Sequence, residues 1–162
     1  HASKAFDKRF KCAVSGSGQV VLQAGRLDAW SGHVVRIGYS SYVALMNDAT
    51  LYCHIIPAKG LTRFPVLLKV ILPLISDVWA KHGRTFDPDN QSVIVLPRTN
   101  RALIGSMNDA MRILRYYHED AKDAGSELDL GRVMGSLNMM PYKALGFDSP
   151  GERMRKLPAD PG

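Results

Sequence analysis

Cysteine is almost missing from this chain: two residues, Cys12 and Cys53, among 162. Two thiols exclude a disulfide-stapled secreted scaffold and fall short of a zinc ribbon, which needs four closely spaced ligands. Neither belongs to a C-x-x-C pair, and the simplest expectation is two reduced, partly buried thiols in a cytoplasmic protein. Long apolar runs are missing too. The longest, Phe64 to Ala80, reaches about 17 residues only by including Lys69, Pro73 and Asp77, whereas a bilayer span needs ~20 mostly apolar ones. It reads as a buried helix, and no membrane partner is expected. Histidines are few and unpatterned: His33, His54, His82 and His118 show no H-x-H, H-E-x-x-H or Cys/His spacing, so neither metal nor cofactor is expected. Ser15-Gly16-Ser17-Gly18 lacks the Gly-Lys-Ser/Thr end of a phosphate loop and has Val21 where G-x-G-x-x-G needs its third glycine. It reads as a flexible turn. No G-x-S-x-G elbow occurs anywhere.

What is present is an ordinary globular composition, 46% apolar and 22% charged, at the length of one domain. Lys and Arg number 21 against 15 Asp and Glu, a net charge of +6. That mild excess suits a polyanionic partner without requiring one. The start, His1-Ala2-Ser3-Lys4, reads as a tag remnant, and residues 1–9 as a mobile basic N-terminus with no apolar stretch of the signal-peptide kind. Residues 10–150 are expected to form a single domain, and 151–162, with Pro158 and Pro161, a frayed tail.

Within that domain, Phe10–Val14 and Val20–Leu22 carry weak strand signals on either side of the Ser/Gly turn. The stronger ones are His33–Ile37, Tyr42–Met46 and Leu51–Ile56, separated by Gly38 to Ser41 and by Asn47-Asp48. Such short runs joined by tight turns predict an antiparallel meander. Leu67, Leu68, Ile71, Leu74, Ile75, Val78 and Trp79 then fall on one helical face, with Pro65 suited to the first turn, Pro73 predicted to kink the middle and Gly83 to stop it. Apolar flanks at Val66, Val70 and Leu72 make this the expected central helix of the core. Ser92–Leu96 reads as an interior strand. A second helix is expected over about Asn100–Lys122, with Leu103, Met107, Ala110, Leu114, Tyr117 and Ala121 inward, and Gly125 ends it. A shorter helix holding Leu128, Val133, Met134 and Leu137 follows. The fold expected is α+β: an antiparallel meander with two longer helices and one short helix packed on one face.

The segment from Arg98 to Asp109, RTNRALIGSMND, is the most distinctive stretch. It resembles the signature of a family of small bacterial proteins known only as a domain of unknown function, in which a T-N-R-S-like segment precedes G-S-M-N-D at a helix start. Trp30, Ile56-Pro57 and Leu137-Asn138-x-x-Pro141 extend the likeness over roughly residues 10–147. Ala102 stands where that pattern has Ser. The resemblance implies the fold and no reaction. Ser106-x-x-Asp109 has the form of a capping box, but the amphipathic period already includes Leu103 and Ile104. A helix start at Thr99 or Asn100 is therefore expected, with Gly105 admitting another backbone closely. Gly135-Ser136-Leu137-Asn138 repeats the Gly105-Ser106-Met107-Asn108 pattern one helix later.

Two functional readings arise. Arg101, Asn108, Arg112 and Arg115 share one polar side of the second helix, with Asn100 at its start and Arg98 just before it, and planar guanidinium groups suit phosphate. This predicts a non-catalytic binding or regulatory module whose arginine face takes a polyanion, such as nucleic acid, or a protein. The alternative is a small metal-independent nuclease, in which His33 and His54 meet on adjacent strands as base and acid.

Overall fold

The computed structural model describes residues 4–11, 29–84 and 100–157. The predicted meander is there: β1 (Trp30–Ile37), β2 (Ser40–Asn47) and β3 (Cys53–Pro57) form an antiparallel sheet in the order β1-β2-β3. Gly38, at φ +57°, opens a two-residue turn that pairs Ile37 with Ser40, as a glycine-first hairpin requires. At the next turn the Asn47 side-chain oxygen accepts bonds from Ala49 N at 3.2 Å, Thr50 N at 3.0 Å and the Thr50 hydroxyl at 2.9 Å. Asparagine closes a turn this way because its short amide reaches its own downstream backbone. Leu51 takes a left-handed φ of +60°, which holds β3 back to a start at Cys53.

Every residue from Tyr42 to Asn47 is buried, so β2 is covered on both sides. Tyr42, Ala44 and Met46 turn one way, together with Val35, Ile37, Cys53 and Ile55. Val43 and Leu45 turn the other way. The first face packs against α3 (Arg101–Asp123) and α4 (Leu130–Met139) through Leu103, Met107, Leu114, Val133 and Leu137. The second packs against α1 (Lys4–Phe10) and α2 (Phe64–Lys81) through Phe6, Phe10, Leu67 and Ile71. The α+β class and meander stand, but the helices cover two faces and not one. The unbroken apolar run Tyr42-Val43-Ala44-Leu45-Met46 is the reason, since a strand with one wet face alternates apolar with polar.

Three local expectations need correcting. Residues 4–10 are a helix and not part of a mobile terminus, because Phe6 and Phe10 are buried against the sheet. Phe6 docks where β1 carries Gly32; a Cβ there would stand 2.6 Å from its ring. Helix α2 carries Pro65 in its first turn and stops before Gly83 as predicted, but it is an outer layer. Its outward side exposes Val66 and Val70, and Pro73 on that side leaves the helix unbroken. The end of the chain is not frayed over 151–156. Helix α5 (Pro150–Lys156) is closed by a capping box between Ser149 and Glu152 and anchored by buried Met154. The bonds from Ser149 hold the Glu152 carboxyl below the usual carboxylate range. The expected strands over 12–14, 20–22 and 92–96, the turn at 15–18, and Cys12 and Arg98 lie outside the described residues.

Helix α4 finishes the first core by closing the edge of β3. The buried Asn138 side chain accepts from Cys53 N at 2.7 Å and donates to Cys53 O at 2.9 Å, as a neighbouring strand would. One turn earlier, Met134 Sδ accepts from Ile55 N at 3.3 Å. Gly151 of α5 lets the backbone of Asn138 approach; a Cβ there would meet Asn138 O at 3.1 Å.

Candidate functional site

The polar side of α3 begins with its cap. Asn100 accepts from Ala102 N and Leu103 N at 3.1 and 3.3 Å, so the helix starts where the periodicity places it. Ser106 cannot serve as a second cap, since it lies inside the helix and is buried. Gly105 meets nothing within 4 Å among the described residues, so the close backbone approach expected there is absent. Arg101, Asn108, Arg112 and Arg115 are all exposed. Arg112 spends its charge locally, on Asp109 Oδ1 at 2.9 Å. Arg101, Asn108, Arg115 and Lys122 follow one another every seven residues, a line that drifts only ~20° per heptad around the helix.

The two histidines of the nuclease reading are not brought together. His33 pairs with Ala44 and His54 with Leu45, on β1 and β3, which flank β2 on opposite edges. Ala44 and Leu45 are consecutive, so their partners point to opposite faces of the sheet. His54 instead lies tilted against Tyr52, with ring centroids 5.8 Å apart, and Tyr52 meets His82 edge-on at 6.0 Å. Burial pulls the His54 pKa below its usual value, and Lys81 adds to this while Asp77 opposes it. His82 is lowered as well, by burial and then by Arg155, Arg84 and Lys81. Cys53 is a buried free thiol whose pKa burial pushes up to about 12, so it is inert at neutral pH. Among the described residues no three of His, Cys, Asp and Glu gather where a metal ion would sit. No helix among them is long and apolar enough to cross a membrane.

What the sequence reading missed is a cleft of about 740 Å³ around the end of the sheet that carries the β1–β2 turn. One wall is the end of α1 and the residues just after β3, with Arg9 and Lys59. The other is the last turns of α3 and the connection to α4, with His118, Lys122 and Glu127. The Arg9 guanidinium is fixed by donating to Ala58 O at 2.7 Å, while Ala58 N donates to Ser41 O at 2.8 Å. Arg9 and Ser41 are thus tied to the backbone of a single residue, Ala58, which Lys59 follows in the chain. The hairpin tip closes the middle. Where Gly38 would carry a Cβ, His118 Cε1 is 3.5 Å away, and the next residue, Tyr39, is fully exposed on the rim. Three cations and one carboxylate therefore line a concave surface large enough for a small ligand. No spacing rule could have found it, because its groups come from separate segments of the chain. Only the seven-residue line along α3 points toward it, through Lys122.

A family model described as a domain of unknown function, DUF6933, matches residues 1–153. No curated protein matches the chain.

Proposed function

The chain belongs to the DUF6933 family, and since that description names no activity, we propose from the geometry that it is a non-catalytic binding module for an anionic ligand, held in the cleft at the end of the sheet. The observation that carries this reading is the convergence of Arg9, Lys59 and Lys122, from three separate segments of the chain, on one concavity. Cations scattered over a surface repel little and mean little; cations gathered at the mouth of a low-dielectric cleft raise the local concentration of an anion. Arg9 is held in place by its bond to Ala58 O before any ligand arrives, so less ordering cost falls on binding. The exposed line of Arg101, Arg115 and Lys122 extends the same field along α3 to the cleft.

Calorimetric titration of inorganic phosphate or sulfate at low salt tests this. Binding that weakens with salt, and falls about tenfold or more when Lys59 and Lys122 are both replaced by Ala, is expected; both side chains are exposed, so the fold should survive. No anion binding, or binding untouched by the double substitution, refutes the reading.

The second reading is a longer polyanion, nucleic acid or an acidic protein, along the arginine face, favoured by the exposure of Arg101, Asn108, Arg112 and Arg115 on one side of a single 23-residue helix. In that case replacing Arg101 and Arg115 with Ala should flatten the salt slope for DNA or RNA by about one unit per lost phosphate contact. The nuclease alternative finds no support, because His33 and His54 lie on opposite faces of the sheet.

A further inference from the structure

Resting on the anion-binding reading of the cleft, we propose that its ligand is a phosphate monoester joined to a planar ring, of the size of a mononucleotide. Size is the first argument. The cleft, about 740 Å³, lies in the range of small-molecule sites and is far larger than a bare phosphate. A ligand that fills it must carry a body as well as a charge. Long polymers fit poorly for the opposite reason: the cationic wall at Arg9 and Lys59 faces a short concavity closed at its centre by the hairpin tip.

The distribution of chemistry gives the class of that body. Arg9 and Lys59 lie on either side of Ala58 on one wall, a pair suited to a phosphate dianion, since the guanidinium is a fixed charge with donors beyond the one bonded to Ala58 O and the ammonium is a mobile point charge. Across the cleft Lys122 supplies the third cation, and the groups around it change. Tyr39 presents an aromatic ring with no protein surface over it, and His118 lies against the same turn. A fully exposed tyrosine on a rigid two-residue hairpin gains nothing for the fold, and it offers a face for stacking. Ser126 and Glu127 follow on the connection to α4, and a hydroxyl and a carboxylate there would take the hydroxyl or N–H groups of a ribose or base. Cations on both walls, an exposed ring on the rim between them and polar acceptors on the Lys122 side together describe a nucleoside monophosphate better than a simple carboxylate or a bare anion.

Titrating the full chain with inorganic phosphate, ribose 5-phosphate, AMP and UMP separates this inference from the reading beneath it. The inference expects AMP or UMP to bind at least tenfold tighter than ribose 5-phosphate, with ribose 5-phosphate close to phosphate. It expects that gain to disappear in Tyr39→Ala and return in Tyr39→Phe. Tyr39 touches no core, so folding is not at stake. Equal affinity for ribose 5-phosphate and the nucleotides, or a nucleotide gain that survives Tyr39→Ala, overturns the ring while leaving the anion site standing. Failure of all four probes to bind overturns the anion site and the inference with it.

Discussion

Two nearly identical tetrapeptides, Gly105-Ser106-Met107-Asn108 on α3 and Gly135-Ser136-Leu137-Asn138 on α4, meet opposite fates. Their apolar members are alike: Met107 and Leu137 are both fully buried in the first core. Their asparagines are not. Asn108 faces solvent, and Asn138 is buried and clamps both the N–H and the C=O of Cys53. The difference lies in how far the buried arc extends past the apolar residue. Helix α3 centres its arc on Leu103, Met107, Ala110 and Leu114, which leaves Asn108 about 130° away at 100° per residue. Helix α4 packs Leu130 and Met134 as well as Val133 and Leu137, rotating its arc toward Asn138. A sequence pattern therefore sets the periodicity of a helix, and the neighbour it packs against sets which polar residue goes inside.

The largest effect should separate the two asparagines. Asn138→Ala leaves the buried N–H and C=O of Cys53 in β3 without their partners, and should cost about 2–6 kcal/mol at ~1–3 per unsatisfied group. Asn108→Ala should stay within about 0.5 kcal/mol, as exposed substitutions do. Urea unfolding of both variants measures this, and similar losses would end the comparison. Labelling of Cys53 sharpens it: the thiol should react only on global unfolding in the native chain and much faster in Asn138→Ala.

The helix starts provide the next test, and here the two elements should behave alike. Asn100 caps α3, and the Asp129 side chain accepts from Arg132 N at 3.0 Å to cap α4. Either residue changed to Ala should cost about 1 kcal/mol. A much larger loss at one of them would mean that its side chain holds more than a helix end.

Smaller still, and of opposite sign, is the effect of the two glycines. Gly105 and Gly135 sit inside helices with nothing within 4 Å of an added Cβ among the described residues. Gly105→Ala and Gly135→Ala should each stabilise by about 0.5–1 kcal/mol through helix propensity. Gly32→Ala, by contrast, meets the ring of Phe6 and should undock α1. A destabilised Gly105→Ala would reveal a close neighbour at the distinctive segment.

The last test carries the comparison to β3, where Cys53 and His54 point to opposite faces. His54 has a pKa below its unfolded value, so the unfolded chain binds more protons in the window between the two. Its contribution is present above about pH 6.5 and is lost as pH falls through the folded-state pKa. His82 is shifted the same way. Stability measured from pH 7.5 to 5 should therefore decline on the acid side, and His54→Phe, which keeps a ring beside Tyr52, should flatten that decline. An unchanged slope would assign it to other groups.

Much of the fold was legible in the chain itself. Gly38 and Asn47 mark the two hairpin turns, Pro65 and Gly83 bracket α2, and Asn100 caps α3, because each acts through backbone atoms a few residues away. The arrangement of layers was less legible. The apolar run through β2 carried the signal for a sheet covered twice, yet Phe6 and Phe10 look unremarkable until Gly32 opens a place for a ring. The arginine side of α3 was readable as an exposed stripe. The cleft was not, since Arg9, Lys59 and Lys122 are separated by 50 residues or more and share no pattern.

Sequence alone determined what local physics decides: where strands turn, where helices begin and end, and which side of each helix is apolar. Tertiary structure alone decided which face each helix covers, that Asn138 and not Asn108 turns inward, that His33 and His54 stand apart, and that three distant cations meet at one end of the sheet. The reason is range. A turn or a cap is complete within a few residues of chain, whereas burial and electrostatic convergence depend on segments that become neighbours only when the core packs.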